Sequence, residues 1–73
     1  MRNKYTIESA GKQIDGEERW IVEVDFGAGV VYLTVWLDRN TGLLRADGTD
    51  QRITPSMCYG AKLAVRRMMV RED

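Results

Sequence analysis

The sequence predicts an α+β domain, a small antiparallel sheet of three to four strands packed against one C-terminal α-helix. Three observations carry this. Trp20, Val22, Val24 and Phe26 recur at period two, the signature of a strand with one buried face. Val30 to Leu37 is a run rich in β-branched and aromatic residues, which suit a pleated, half-buried surface. Thr54-Pro55-Ser56 opens a helix, with a hydroxyl at the N-cap and proline at the first helical position, where its missing N–H costs nothing.

Taken in order, Lys4 to Ser9 alternates, with Tyr5 and Ile7 on one side and Lys4, Thr6 and Glu8 on the other, as a half-buried first strand does. Ala10 to Glu18 reads as a polar loop whose one sizeable aliphatic residue is Ile14. Arg19 to Phe26 is the second strand and Val30 to Leu37 the third. Parity decides the turn between them, because a side-chain period of two lets loop length select which faces meet. A three-residue loop would set the aliphatic face of the third strand beside Ile21, Glu23 and Asp25. A two-residue loop centred on Gly27-Ala28 fits the Gly-X preference of a type II′ turn and pairs Val24 with Val31, Val22 with Leu33 and Trp20 with Val35. A four-residue loop has the same parity. Asp38-Arg39-Asn40-Thr41-Gly42 is a second hairpin turn, and Leu43 to Asp47 a short fourth strand. The helix is expected from Pro55 to about Arg71, with its cations towards the C-terminal half, where they suit the negative end of the dipole.

The 73 residues suffice for a single domain, 1–73, with a modest core. The apolar fraction of 44% and charged fraction of 30% are those of a globular chain. No apolar run is long enough to cross a bilayer, and the N-terminus lacks the apolar stretch of a signal peptide. The lone Cys58 fits a reducing compartment, so a cytoplasmic, monomeric protein is expected. Net charge is zero, unlike that of a dedicated nucleic-acid binder, which is usually strongly basic. The balance is uneven: residues 1–29 carry six carboxylates against four cations, and residues 54–73 four cations against two carboxylates.

Catalytic chemistry finds no foothold. Histidine is absent, which removes the commonest general base and metal ligand. Cys58 falls at the inner edge of the helix, where a buried, inert thiol is usual. Gly27-Ala28-Gly29 links two strands and has no helix N-terminus behind it, so it is no phosphate loop. Asp47, Gly48 and Asp50 fall short of a calcium loop. The expectation is no enzyme, no cofactor and no metal.

The surfaces are more informative. Stepping around the helix, Met57, Ala61, Ala64, Val65 and Met68 form a core stripe, with Cys58 and Met69 at its edge. On the opposite side Tyr59, Leu63 and Val70 gather around Arg66, flanked by Lys62 and Arg67. Tyrosine and arginine are favoured at protein interfaces, and the far side of a surface helix is ordinarily polar. Isolated surface hydrophobes are also normal, and the loop around Ile14 is a possible cover. Both readings stand. The first strand, with Tyr5 and Ile7, is expected at a sheet edge, where unpaired N–H and C=O groups accept an added strand unless Lys4 and Glu8 discourage it. On the sheet's outer face Trp36 stands opposite Arg19, Thr34 opposite Ile21 and Tyr32 opposite Glu23. A cross-strand cation–π pair accounts for Trp36 and Arg19. A platform for unpaired bases ranks lower, since the basic residues alongside are few.

In length, in its start Met1-Arg2-Asn3-Lys4-Tyr5 and in its layout of strands plus a helix, the chain resembles the small host RNA polymerase-binding transcription regulators of lytic Xanthomonas phages. The resemblance spans the whole chain and rests on no short motif. It implies a non-catalytic protein without cofactor that binds near the N-terminus of the polymerase β′ subunit, weakens σ-dependent promoter engagement and promotes read-through of terminators. The alternatives are another phage-type inhibitor such as an anti-CRISPR protein, or a single-stranded nucleic-acid binder using Trp36, Tyr32 and Arg19. The candidate partner-binding residues are Tyr5 and Ile7 on the edge strand and Tyr59, Leu63, Arg66, Arg67 and Val70 on the helix.

Overall fold

Four strands form one antiparallel meander, β1 (Lys4–Lys12), β2 (Glu18–Asp25), β3 (Val30–Asp38) and β4 (Leu43–Asp47), in the spatial order β1-β2-β3-β4. Among the described residues one helix, α1 (Pro55–Arg71), follows and packs across all four strands. The computed structural model describes residues 3–12 and 18–71. The predicted α+β architecture is the one observed, with the helix bounds as expected.

The β2–β3 register is the one that parity selects. Val24 lies opposite Val31, Val22 opposite Leu33 and Trp20 opposite Val35, and all six are buried. The turn closes by a hydrogen bond from the Phe26 N–H to the Gly29 carbonyl at 3.1 Å, leaving Gly27 and Ala28 at its centre. Gly27 has φ 92° and Ala28 a negative φ, which suits a II′ turn and excludes I′. The β3–β4 turn spans Arg39 to Gly42, closed by the Gly42 N–H on the Asp38 carbonyl at 2.7 Å, with Gly42 at φ 73°.

One expectation is corrected. The chain does not leave the sheet at Ser9. β1 continues to Lys12, because a bulge between Ile7 and Ser9 inserts Glu8 as an extra residue and resets the register, so that Ala10 lies opposite Trp20 and Lys12 opposite Glu18. A bulge breaks the strict alternation, so the period-two signal ends where the strand does not. The part of the expected loop around Ile14, and with it any cover that Ile14 would give the helix, lies outside the described residues. The second strand also begins one residue earlier than expected and hands Phe26 to the turn.

The helix start follows the capping expectation. The Thr54 hydroxyl accepts the Met57 N–H at 3.2 Å, and the Cys58 N–H bonds the Thr54 carbonyl at 3.2 Å. Met57, Ala61 and Val65 are buried against the sheet, with Cys58 and Met68 packed beside them.

The return from β4 to α1 is held by Arg52. Its guanidinium donates to the Asp50 carboxylate at 2.8 and 3.1 Å and to the Val30 carbonyl at 3.3 Å, and it lies 5.6 Å from the Phe26 ring centroid. The Arg52 N–H also bonds Asp50 at 2.9 Å. The Arg52 side chain, then its backbone N–H, draw the Asp50 carboxyl down from 3.8 to about 2. Since the folded value lies below the unfolded one, this contribution to stability is present above pH 3.8 and is lost as pH falls through about 2. A carbon-detected NMR titration is expected to show Asp50 with a midpoint near 2. In Arg52→Met the midpoint should return towards 3.8, and an unmoved value would mean that this clamp does not set it.

Candidate functional site

The alternation of β1 turns Tyr5 and Ile7 to the helix side, where both are half-buried against the core. The Tyr5 hydroxyl donates towards the Ser56 carbonyl at 3.5 Å and accepts from Asn3 Nδ2 at 3.3 Å. Its ring lies against Gly60, so closely that a Cβ there would overlap the ring's hydroxyl end. This accounts for a glycine in mid-helix, where it costs roughly 1 kcal/mol relative to alanine. The lone glycine was the available sequence signal for this contact. In Gly60→Ala the ring must swing out, whereas in a Tyr5→Ala background the same change should be stabilising by up to about 1 kcal/mol. A double-mutant cycle by urea denaturation should therefore show coupling, and simple additivity would mean that the ring does not rest there.

Tyr5 and Ile7 thus serve as the floor of a groove of about 760 Å³ between β1 and α1, whose helix wall includes Leu63, Ala64 and Arg67. β1 is an edge of the sheet, paired among the described residues only with β2, and so carries a row of backbone groups that no described strand shares.

The other helix residues lie over α1's outer surface and its β4 flank. Tyr59 is 63% exposed and Val70 70%, Arg66 and Arg67 are exposed, and Leu63 is half-buried. Leu63 lines both the β1 groove and a second depression over β4, where it meets Tyr59, Lys62, Arg66, Leu43 and Leu44. A third depression, at the C-terminal end of the helix, joins Arg66, Met69 and Val70 to Leu37 and Leu44. The candidate residues therefore form a ridge with a groove on either side. Tyr5, Ile7 and Arg67 stand on the β1 flank, Tyr59 and Arg66 on the β4 flank, and Leu63 between them.

Leu43, 60% exposed, belongs to this surface and was missed by the sequence reading. The signal was the doublet Leu43-Leu44: in a strand only one of two neighbours can face the core, and Leu44 takes that place.

On the sheet's outer face the register is as expected. Trp36 stands opposite Arg19 on one side and Arg45 on the other, and Thr34 opposite Ile21. Tyr32, 56% exposed, donates its hydroxyl to Glu23 at 3.2 Å. That bond, and then the carboxylate's charge, hold its pKa above the ordinary value. Arg45 pairs with Asp38 at 3.5 Å. A shallow depression here is lined by Arg19, Thr34, Trp36 and Asp47. Cations on this face thus stand among carboxylates, which weakens it as a phosphate-tracking surface.

Among the described residues no group of three or more His, Cys, Asp or Glu is placed to hold a metal ion, and no helix is long and apolar enough to cross a membrane. Cys58 is a free thiol, half-buried at the helix–sheet interface. No family model, curated protein or solved structure matches the chain.

Proposed function

We propose that this chain is a non-catalytic regulator that docks on a protein partner through the solvent face of α1 and its flanking grooves. The observation that carries the reading is the depression where Leu43 of β4 meets Tyr59 and Leu63 of α1, with Val70 exposed further along a helix whose inner face is already committed to the sheet. Scattered surface hydrophobes need no explanation, but a contiguous group beside guanidinium groups has the composition of an interface. The partner proposed is bacterial RNA polymerase, at the N-terminal region of β′, with weakened σ-dependent initiation and antitermination as the consequences. Support for this partner comes from the whole-chain resemblance and from the absence of any competing chemistry in the sequence. Inhibition would follow from occupying surface that another factor needs.

The test is direct binding to purified polymerase by the wild-type chain and by a Leu63→Ser/Arg66→Ala variant whose fold is first checked by amide NMR. Two central interface residues at about 2 kcal/mol each predict a loss of affinity of up to about a thousandfold. Full-strength binding by the variant would remove the helix face from the account. Failure of the wild-type chain to bind would remove polymerase.

A further inference from the structure

Three depressions beside α1 share an electrostatic property. Among the described residues, each is lined by apolar residues and by at least one cation, Lys4 and Arg67 in the β1 groove, Lys62 and Arg66 over β4, Arg66 at the C-terminal end, and by no carboxylate. The stretch from Gln51 to Arg71 contains no acidic residue at all. In a chain of zero net charge this is a segregation of sign. Among the described carboxylates, Glu23 and Asp47 stand on the outer face of the sheet, Asp25 accepts the Gly27 N–H in the β2–β3 turn, and Asp38 and Asp50 are engaged by Arg45 and Arg52.

Resting on the reading that α1 is the docking face, we infer that the docked segment is an acidic amphipathic stretch of protein. Its apolar side chains enter the depression between Leu43 and Leu63 beside Tyr59, and its carboxylates meet Lys62 and Arg66. Charge complementarity sets the sign of the partner, since like charges facing these cations across a desolvated contact are strongly disfavoured. The apolar lining sets its class. A nucleic-acid backbone would satisfy the cations but leave Leu43, Leu63 and Val70 uncovered, with Tyr59 alone to stack a base. An anionic membrane is flat and would touch the ridge without filling the grooves on either side.

The experiment uses the full chain and two synthetic amphipathic peptides with the same Leu and Phe positions, one with Glu and one with Lys on the polar face. Amide NMR locates binding, and anisotropy measures it. The Glu peptide is expected to bind, to shift Tyr59, Lys62, Leu63 and Arg66, and to weaken as salt rises. Lys62→Glu/Arg66→Glu, folded by the same spectra, should bind it about tenfold more weakly or worse and should gain affinity for the Lys peptide. Equal binding of both peptides by the wild-type chain, or shifts confined to β1 or Trp36, would overturn the inference. Binding to phosphatidylcholine–phosphatidylglycerol vesicles or to single-stranded DNA through these same residues, with neither peptide bound, would also overturn it. If the Glu peptide fails while Leu63→Ser/Arg66→Ala still abolishes polymerase binding, the docking face stands and only the acidic segment falls.

Discussion

Replacing Leu33 with alanine is expected to cost about 2–5 kcal/mol, the largest loss that any single substitution considered for this protein should cause. Leu33 is 1% exposed and sits in the middle of β3, opposite Val22 and within the cluster that α1 covers. Truncation removes the transfer free energy of the buried side chain and leaves a cavity. The surrounding Val22, Val31 and Val35 are β-branched residues on paired strands, which restricts how far they can collapse into it. A domain of this size has a total stability of roughly 4–11 kcal/mol, so the variant should be marginal at ambient temperature. Urea denaturation followed by tryptophan fluorescence checks this. A midpoint within error of wild type would mean that the core is loosely packed at this layer.

Gly48→Ala is the second large effect, at about 1–3 kcal/mol. Gly48 has no positive φ, so the demand on it is steric. A Cβ there would stand 3.0 Å from the Tyr32 carbonyl oxygen and 3.2 Å from Leu33 Cδ2, and would overlap the end of the Ile53 side chain. Ile53 can turn aside, but the Tyr32 carbonyl belongs to β3 and moves only with the sheet. The chain leaves β4 at this point to cross over β3 towards the start of α1, so a shift here would tilt the helix and reshape both grooves. Thermal unfolding is the measure, and combining the change with Leu33→Ala should give less than the sum, because one of the crowding atoms is then absent. Strict additivity would show that the Leu33 contact contributes nothing, leaving the Tyr32 carbonyl and Ile53 as the crowding groups.

How far the candidate surface was legible depends on the kind of signal. The helix stripe and its outer cluster came from angular position alone, and the placement of Tyr59, Leu63, Arg66 and Val70 on the solvent side of α1 follows from the sheet taking Met57, Ala61 and Val65. Tyr5 and Ile7 were correctly set on one face of β1, but sequence could not say that this face lies under the helix and forms a groove floor. That depends on where α1 crosses, which the Tyr5–Gly60 contact decides across more than fifty residues of chain. Leu43 joined the surface for the same reason.

The sequence by itself determined the strand parity, the β2–β3 register, the two turns and the helix start, because each is governed by period-two burial or by local φ and capping preferences acting within a few residues. Only the tertiary structure decided the continuation of β1 past its bulge, the Arg52 clamp on Asp50, Val30 and Phe26, and the meeting of β4's Leu43 with Tyr59 and Leu63 on α1. These are contacts between distant segments. Their energies depend on how the helix docks on the sheet, and no local pattern of residues encodes that angle.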